Sequence, residues 1–407
     1  MTHQIALLPT GRLHLQHGPI DLICQAWGTP HAIRTAYEAA AALFPTILPA
    51  LCAELPHLRT PLPTPQPIHP IAQAMHQACS TLLRPMTPPN TSWSGLTRPS
   101  TPFNADRLPR DKNAPDFRSS FLPSSDRPYE ASSAIGAVAR SACDDATEVG
   151  PCAAAWMAGS SPTMTDETSE WRSRSKEAPG MGDTRTLTVR SNPASPTADP
   201  RLSAEGFITP MAAVAGAIAD HVLTTMTAAA PLEKAYVNNG GDIAFHLTPT
   251  HTLTCALVTT LAHPTLDGAF RLHHQNPARG IATSGQACKG QHGKSFSFGI
   301  ADSVTILART AAQADAAATR VANATDLPGH PGIQRRAANS IDSDSDLGTR
   351  LVTWHVPPLS MPEIQRSLDS GRQTADHLIR AGLIEGAVLA LQGRIVTCLP
   401  TPQELAA

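Results

Sequence analysis

No two cysteines in this sequence have C-x-x-C spacing. The eight lie scattered at positions 24, 52, 79, 143, 152, 255, 288 and 398, so neither a zinc knuckle nor a disulfide framework is indicated. Reduced thiols in the cytoplasm are the simplest account. Charge of one sign is lacking too: the net charge is −2, which leaves no global field for nucleic acid or an anionic membrane. The N-terminus has no basic segment followed by an apolar one, and uncharged apolar runs fall short of the roughly 18 residues of a membrane span. A soluble protein that is not exported is expected. The 17 histidines include no H-E-x-x-H, and G-x-S-x-G, P-loop and G-x-G-x-x-G motifs are absent. Asp342-Ser343-Asp344-Ser345-Asp346 opens like a calcium loop, but Leu347 stands where glycine is needed and Thr353 where glutamate is needed. It reads as a solvated acidic loop.

Proline is abundant instead, at 38 residues, and unevenly spread. Residues 1–27 read as strands around Ile5–Leu8, Arg12–His17 and Ile20–Cys24, broken at Pro9-Thr10-Gly11 and Gly18-Pro19. A helical pattern from His31 to Leu55 follows, which Pro45 and Pro49 should kink or divide. Pro56–Pro70 reads as a linker and Ile68–Leu83 as a helix. Residues 85–202 are dense in Ser, Thr, Pro, Arg and Asp and keep no periodicity, so disorder is expected there. Its three tryptophans leave a binding segment as the alternative.

Beyond the insertion, Thr209-Pro210 should cap a helix over Met211–Thr227. Strands are expected at Leu253–Thr259 and Leu351–Val356, alternation runs over Ser295–Ala308, and a second Ala-rich helix covers Arg309–Asn323. Ser360 caps a helix from Met361, and Gly386–Thr397 reads as a closing hairpin. Without a regular βαβ repeat, the fold class is α+β.

Lys234–Leu247 is the most informative stretch. Two strand-forming runs flank Asn238-Asn239-Gly240-Gly241-Asp242, where the chain turns sharply and glycines let a ligand approach the backbone. A plain hairpin and a ligand loop both fit. Gly280–Gly285 reads as a second small-residue turn, in which Thr283-Ser284-Gly285 supplies two hydroxyls for a phosphate or ring edge. Asp315 and Thr319 stand four apart among alanines, so their oxygens share one helix face and suit Mg²⁺. A solvated helix face fits them as well.

Four segments in this order, Val214–Asp220, Val237–Asp242, Thr283–Gly285 and Ala314–Thr319, resemble the G-I-A-K-G-Y-A-V-D, V-N-x-G-G-D/N, T-S-G and A-D-A-L-A-T motifs of the ApbE superfamily of flavin transferases. The likeness is closer still to a small uncharacterised bacterial branch, and covers the chain except 85–202. It implies an ApbE-like fold of mixed or antiparallel sheets with Ala-rich helices, split into segments 1–84 and 203–400 by the disordered insertion. It further implies Mg²⁺ held by Asp315, Thr319 and the Val214 carbonyl, bridging the pyrophosphate of FAD. Asn238–Asp242 and Thr283–Gly285 would surround the ligand, and FMN would pass to a Thr or Ser hydroxyl of an acceptor protein. Ala215 replaces the family's lysine, and its H-I-x-D-P segment is missing, with only Asp302 to imitate the aspartate. These departures favour the alternative, a non-catalytic ligand-binding or scaffold protein. Neither a nucleic acid nor a membrane partner is expected, and homo-oligomers remain open.

Overall fold

A computed structural model describes residues 3–83, 207–257, 268–285 and 296–399. The sequence reading of 85–202 therefore lies outside the described residues. Strands β1 (His3–Leu7), β2 (Leu13–His17) and β3 (Ile20–Trp27) form an antiparallel meander. Its third strand pairs antiparallel with β4 (Lys234–Asn239), so the N-terminal strands join the same sheet as the later ones. The sheet continues through β5 (Asp242–Leu247), β8 (Gly280–Ser284), β9 (Ser303–Ala308), β12 (Gly386–Leu391) and β13 (Arg394–Cys398), nine strands in all. A separate ribbon of β6 (Thr252–Leu257) and β7 (Gly268–His273) packs on one face, and a second ribbon joins β10 (Gln334–Ala337) to β11 (Leu351–His355).

Helices cover the other face: α1 (Pro30–Ala53), the short α2 (Leu55–Leu58), α3 (Pro70–Leu83), α4 (Val214–Ala229), α5 (Ala311–Ala324) and α7 (Met361–Arg380). A short α6 (Ala338–Ile341) precedes β11. Side chains alternate across a strand, and the two apolar layers follow that period. Ile306 and Leu389 point into the helical layer, while Leu307 and Val388 join Phe245, Phe270 and Leu272 under the β6–β7 ribbon. Covered on both sides, β9 and β12 are buried throughout. The α+β class is thus the observed one.

Alanine and glycine bring the helices unusually close. A Cβ on Gly216 of α4 would collide with the Ala311 carbonyl and lie 2.7 Å from the Ala312 nitrogen. Gly280 of β8 is equally tight against Thr310 and Ala311. That contact explains why 280–284 is a central strand and not the turn its small residues suggest. Only Gly285 beyond it takes a positive φ, of 119°.

Several other expectations need correction. Pro45 and Pro49 lie inside an undivided α1. They stand four apart, on the less buried side opposite Phe44 and Ile47, where water can meet the carbonyls they leave unpaired. Thr209 does not cap α4: its hydroxyl binds Asp346, and a 3₁₀ turn over Pro210–Ala213 leads into the helix. Asp346 is correspondingly less solvated than the acidic-loop reading holds, and burial raises its pKa. The alternation from Ser295 yields a strand only at Ser303, because Ile300 N–H donates to Thr325 O and Gly299 presses against Ala322 O. Pro30–Ala53 and Pro210–Ala229 are long and apolar enough to cross a membrane by length and composition alone, although Arg34 and Glu38 interrupt the first and Asp220 the second. In this fold both contribute side chains to the helical core layer.

Candidate functional site

The Asn-Gly-Gly-Asp segment is a two-residue hairpin turn. Asn239 pairs with Asp242 across Gly240 and Gly241, whose φ values are 64° and 114°. Left-handed backbone at both central positions is what a right-twisted hairpin demands. Asn238 Oδ1 accepts from Gly241 N–H at 2.8 Å and closes the turn. The hairpin reading of these residues is therefore the observed one. Nothing lies within 4 Å of where a Cβ would stand on either glycine, so the turn's backbone is open on that side.

The turn reaches two other expected segments. Asn239 Nδ2 donates to Ala215 O in the first turn of α4 at 3.1 Å. Asp242 Oδ1 accepts from Thr283 N–H of β8 at 3.2 Å. Thr283 Oγ1 and Thr305 Oγ1 are 2.9 Å apart, and Ser284 is buried. Gly285 packs where any Cβ would lie 2.9 Å from Ala301 O.

Asp315 faces the same corner from α5. Its Oδ2 accepts from Gly216 N–H at 3.0 Å, and Ala215 N–H donates to it as well. It thus caps the start of α4, where first-turn N–H groups lack helical partners. Burial raises the Asp315 pKa well above the usual range, the Asp242 carboxylate raises it further, and the two N–H groups oppose them. Burial also raises Asp242 to about 7, against the Thr283 N–H. Both residues keep partial exposure, so solvent reaches this pair.

Thr319 stands one turn further along α5, in the wall of a small cavity with Leu82, Phe207, Ile208, Arg320 and Asn323. Asp315 is not part of that wall. Val214 begins α4, adjacent to the N–H groups that Asp315 holds. Among the described residues, no three His, Cys, Asp or Glu side chains form a metal-holding cluster. A site of one carboxylate, one hydroxyl and one carbonyl would not form such a cluster. Its all-oxygen donors match a hard cation.

Sequence reasoning assigned no role to Asp220 or Cys79. Asp220 of α4 accepts from Ala311 N–H at 3.0 Å and from Ala312 N–H at 2.9 Å, capping α5 as Asp315 caps α4. Burial moves it up to about 6, against those N–H groups and Thr310. A lone acid on an otherwise apolar helix was its signal. Cys79 of α3 is buried near Asp315, its thiol donating to Thr209 O at 3.4 Å. Asp302, the one residue able to imitate the missing aspartate, instead accepts from Gln392 N–H at 2.5 Å and holds the β12–β13 turn.

A family model described as "AbpE bacteria" matches residues 5–89 and 174–397, more than half of the chain. The chain is similar to the UPF0280 protein of Methanothrix thermoacetophila, 32% identical over 167 residues, 39% of this chain and 65% of the relative. A UPF0280 protein of Methanopyrus kandleri is 36% identical over 148 residues, 36% of this chain and 56% of the relative. One of Methanobrevibacter smithii is 37% identical over 116 residues, 28% of this chain and 45% of the relative. The chain thus spans about half to two thirds of the length of these archaeal relatives. With most of its described residues inside the family match, this chain belongs to the AbpE bacteria family, an ApbE-like family whose UPF0280 relatives are uncharacterised.

Proposed function

We propose that this protein binds a flavin nucleotide together with Mg²⁺ at the corner between the β4–β5 turn, the end of β8 and the first turn of α4. One observation carries the reading. Asp242 and Asp315 come from segments far apart in sequence, yet both carboxylates are held at this one corner: Asp242 accepts from Thr283 N–H, Asp315 accepts from Gly216 N–H beside the Ala215 carbonyl that Asn239 binds, and the Asp242 charge raises the cost of ionising Asp315. A divalent cation beside them would offset that repulsion. Mg²⁺ would supply charge neutralisation for the phosphate oxygens of FAD. Asp315, Thr319 and the Val214 carbonyl are the proposed ligands. The Asn238–Gly241 turn would offer its open backbone to the nucleotide, and Thr283, Ser284 and Gly285 would bound the site on the other side. The finer form of the proposal is transfer of FMN from FAD to a Thr or Ser hydroxyl of an acceptor protein, with AMP released.

A second reading is binding without transfer, by a protein that keeps the fold as a ligand-binding module or scaffold. Ala215 in place of the family's lysine, and Asp302 engaged on Gln392, favour it. Asp315→Asn tests the shared part of both readings, since its amide oxygen still accepts one α4 N–H. FAD affinity, followed by quenching of flavin fluorescence, should increase with Mg²⁺ in the wild type and be indifferent to it in the variant. Equal Mg²⁺ enhancement in both proteins would remove Asp315 from the site. Mass spectrometry of a Ser/Thr-containing acceptor incubated with FAD and Mg²⁺ separates transfer from binding alone.

A further inference from the structure

The two helices that carry the proposed ligands cap each other. Asp315 of α5 accepts from the first-turn N–H groups of α4, and Asp220 of α4 accepts from the first two N–H groups of α5. Between these two links the helices touch backbone to backbone at Gly216 and Ala311. Thr310 completes the α5 end, accepting from Gln313 N–H at 3.1 Å. The separation of α4 from α5 is therefore set by two carboxylate clasps around one glycine contact. That separation also sets the span from the Val214 carbonyl on α4 to the Asp315 carboxylate on α5.

We infer that Asp220 is a positioning residue for the cation, acting through the α4–α5 spacing, and that it tunes the site for a small ion. The inference rests on the Mg²⁺ reading above. Asp220 itself is engaged by the α5 N–H groups, so its effect is transmitted through Ala311 and Ala312 to Asp315 one helical turn on. Mg²⁺ demands oxygens at about 2.0–2.1 Å, whereas Ca²⁺ accepts about 2.3–2.6 Å in looser geometry. Releasing the Asp220 clasp removes one of the two links holding the helices together. A relaxed site penalises Mg²⁺ more than Ca²⁺.

The test is a titration of the full-length protein with MgCl₂ or CaCl₂ at fixed FAD, read as the rise in melting temperature. Asp220→Ala is compared with wild type and with Leu368→Ala, a buried position in α7 that lowers stability away from the clasps. The expected result is a shift in the ratio of half-effective Ca²⁺ to Mg²⁺ concentrations of at least about fivefold toward Ca²⁺ in Asp220→Ala. Leu368→Ala should keep the wild-type ratio. If Asp220→Ala does not fold, Asp220→Asn keeps one acceptor oxygen and should shift the ratio in the same direction by less. A ratio unchanged in the Asp220 variants, with wild type responding to Mg²⁺, overturns the positioning role and leaves the Mg²⁺ reading standing. No response of wild type to either ion at any FAD concentration overturns the Mg²⁺ reading, and the inference with it.

Discussion

Asp242→Asn isolates the electrostatic cost at the centre of the candidate site. Burial raises the folded-state pKa of Asp242 from 3.8 to about 7, so between those values the native state holds a proton that the unfolded chain releases. Stability is then fully present below pH 3.8 and is lost as pH rises toward 7. Three pKa units correspond to a loss on the order of 4 kcal/mol, of which about 3 kcal/mol falls between pH 5 and 8. Asparagine stays neutral throughout and keeps an oxygen for Thr283 N–H. Relief of Asp315, which Asp242 also pushes upward, acts in the same direction. The assay is thermal unfolding of both proteins in EDTA at pH 5 and pH 8. The melting temperature of the variant minus that of wild type should increase by roughly 8 °C between the two pH values, given about 2–4 °C per kcal/mol at this size. Changes in packing cancel in that double difference. A difference that stays constant with pH would refute the reasoning.

Three further perturbations probe the frame around the site. Gly216→Ala forces a Cβ into the Ala311 carbonyl. Overpacking of about 1–3 kcal/mol should outweigh the helix-propensity gain of about 1 kcal/mol and lower the melting temperature by several degrees. A variant as stable as wild type would contradict the close contact. Asp302→Ala strips the acceptor from Gln392 N–H, where the chain turns with φ 44°. A loss of about 1–3 kcal/mol in urea unfolding, with faster amide exchange at Gln392, is the expected outcome. Glu54 Oε1 accepts from Ile68 and Ile68's neighbour His69 at 2.9 Å each, tying the proline-rich 56–69 segment to the end of α1. Glu54→Ala should therefore speed proteolytic cleavage in that segment, and unchanged cleavage would show that the tie is dispensable.

Punctuation residues made the outer parts of the fold legible. Gly11 and Gly18 mark the turns of the N-terminal meander, and both take positive φ. Ser360, with Pro362 in the first turn, announces the start of α7, where the structure adds a reciprocal capping box between Ser360 and Glu363. The centre was harder to read because tertiary contacts there override local signals. Gly280 and its small neighbours resemble a turn, but they are small so that the N-terminus of α5 can rest on β8. Pro45 and Pro49 normally break helices, yet one side of α1 is open enough to tolerate them. At the site, the spacing of Asp315 and Thr319 put both residues on one helix, one turn apart on α5. It gave no hint that Asp315 caps α4 or feels the Asp242 charge, since both partners lie far from it in the chain. The capping role of Asp220 was hidden for the same reason: its partners, Ala311 and Ala312, contribute only backbone.

The most direct test of the central claim is the thermal stability of the purified full-length protein with FAD, FMN and ADP, each with and without Mg²⁺. A ligand that binds only the native state stabilises it by RT ln(1 + [L]/Kd), about 2.7 kcal/mol at a hundredfold excess over Kd. The account expects FAD to raise the melting temperature in a Mg²⁺-dependent way. A folded protein that shows no shift with any of the three nucleotides, with or without Mg²⁺, would contradict it.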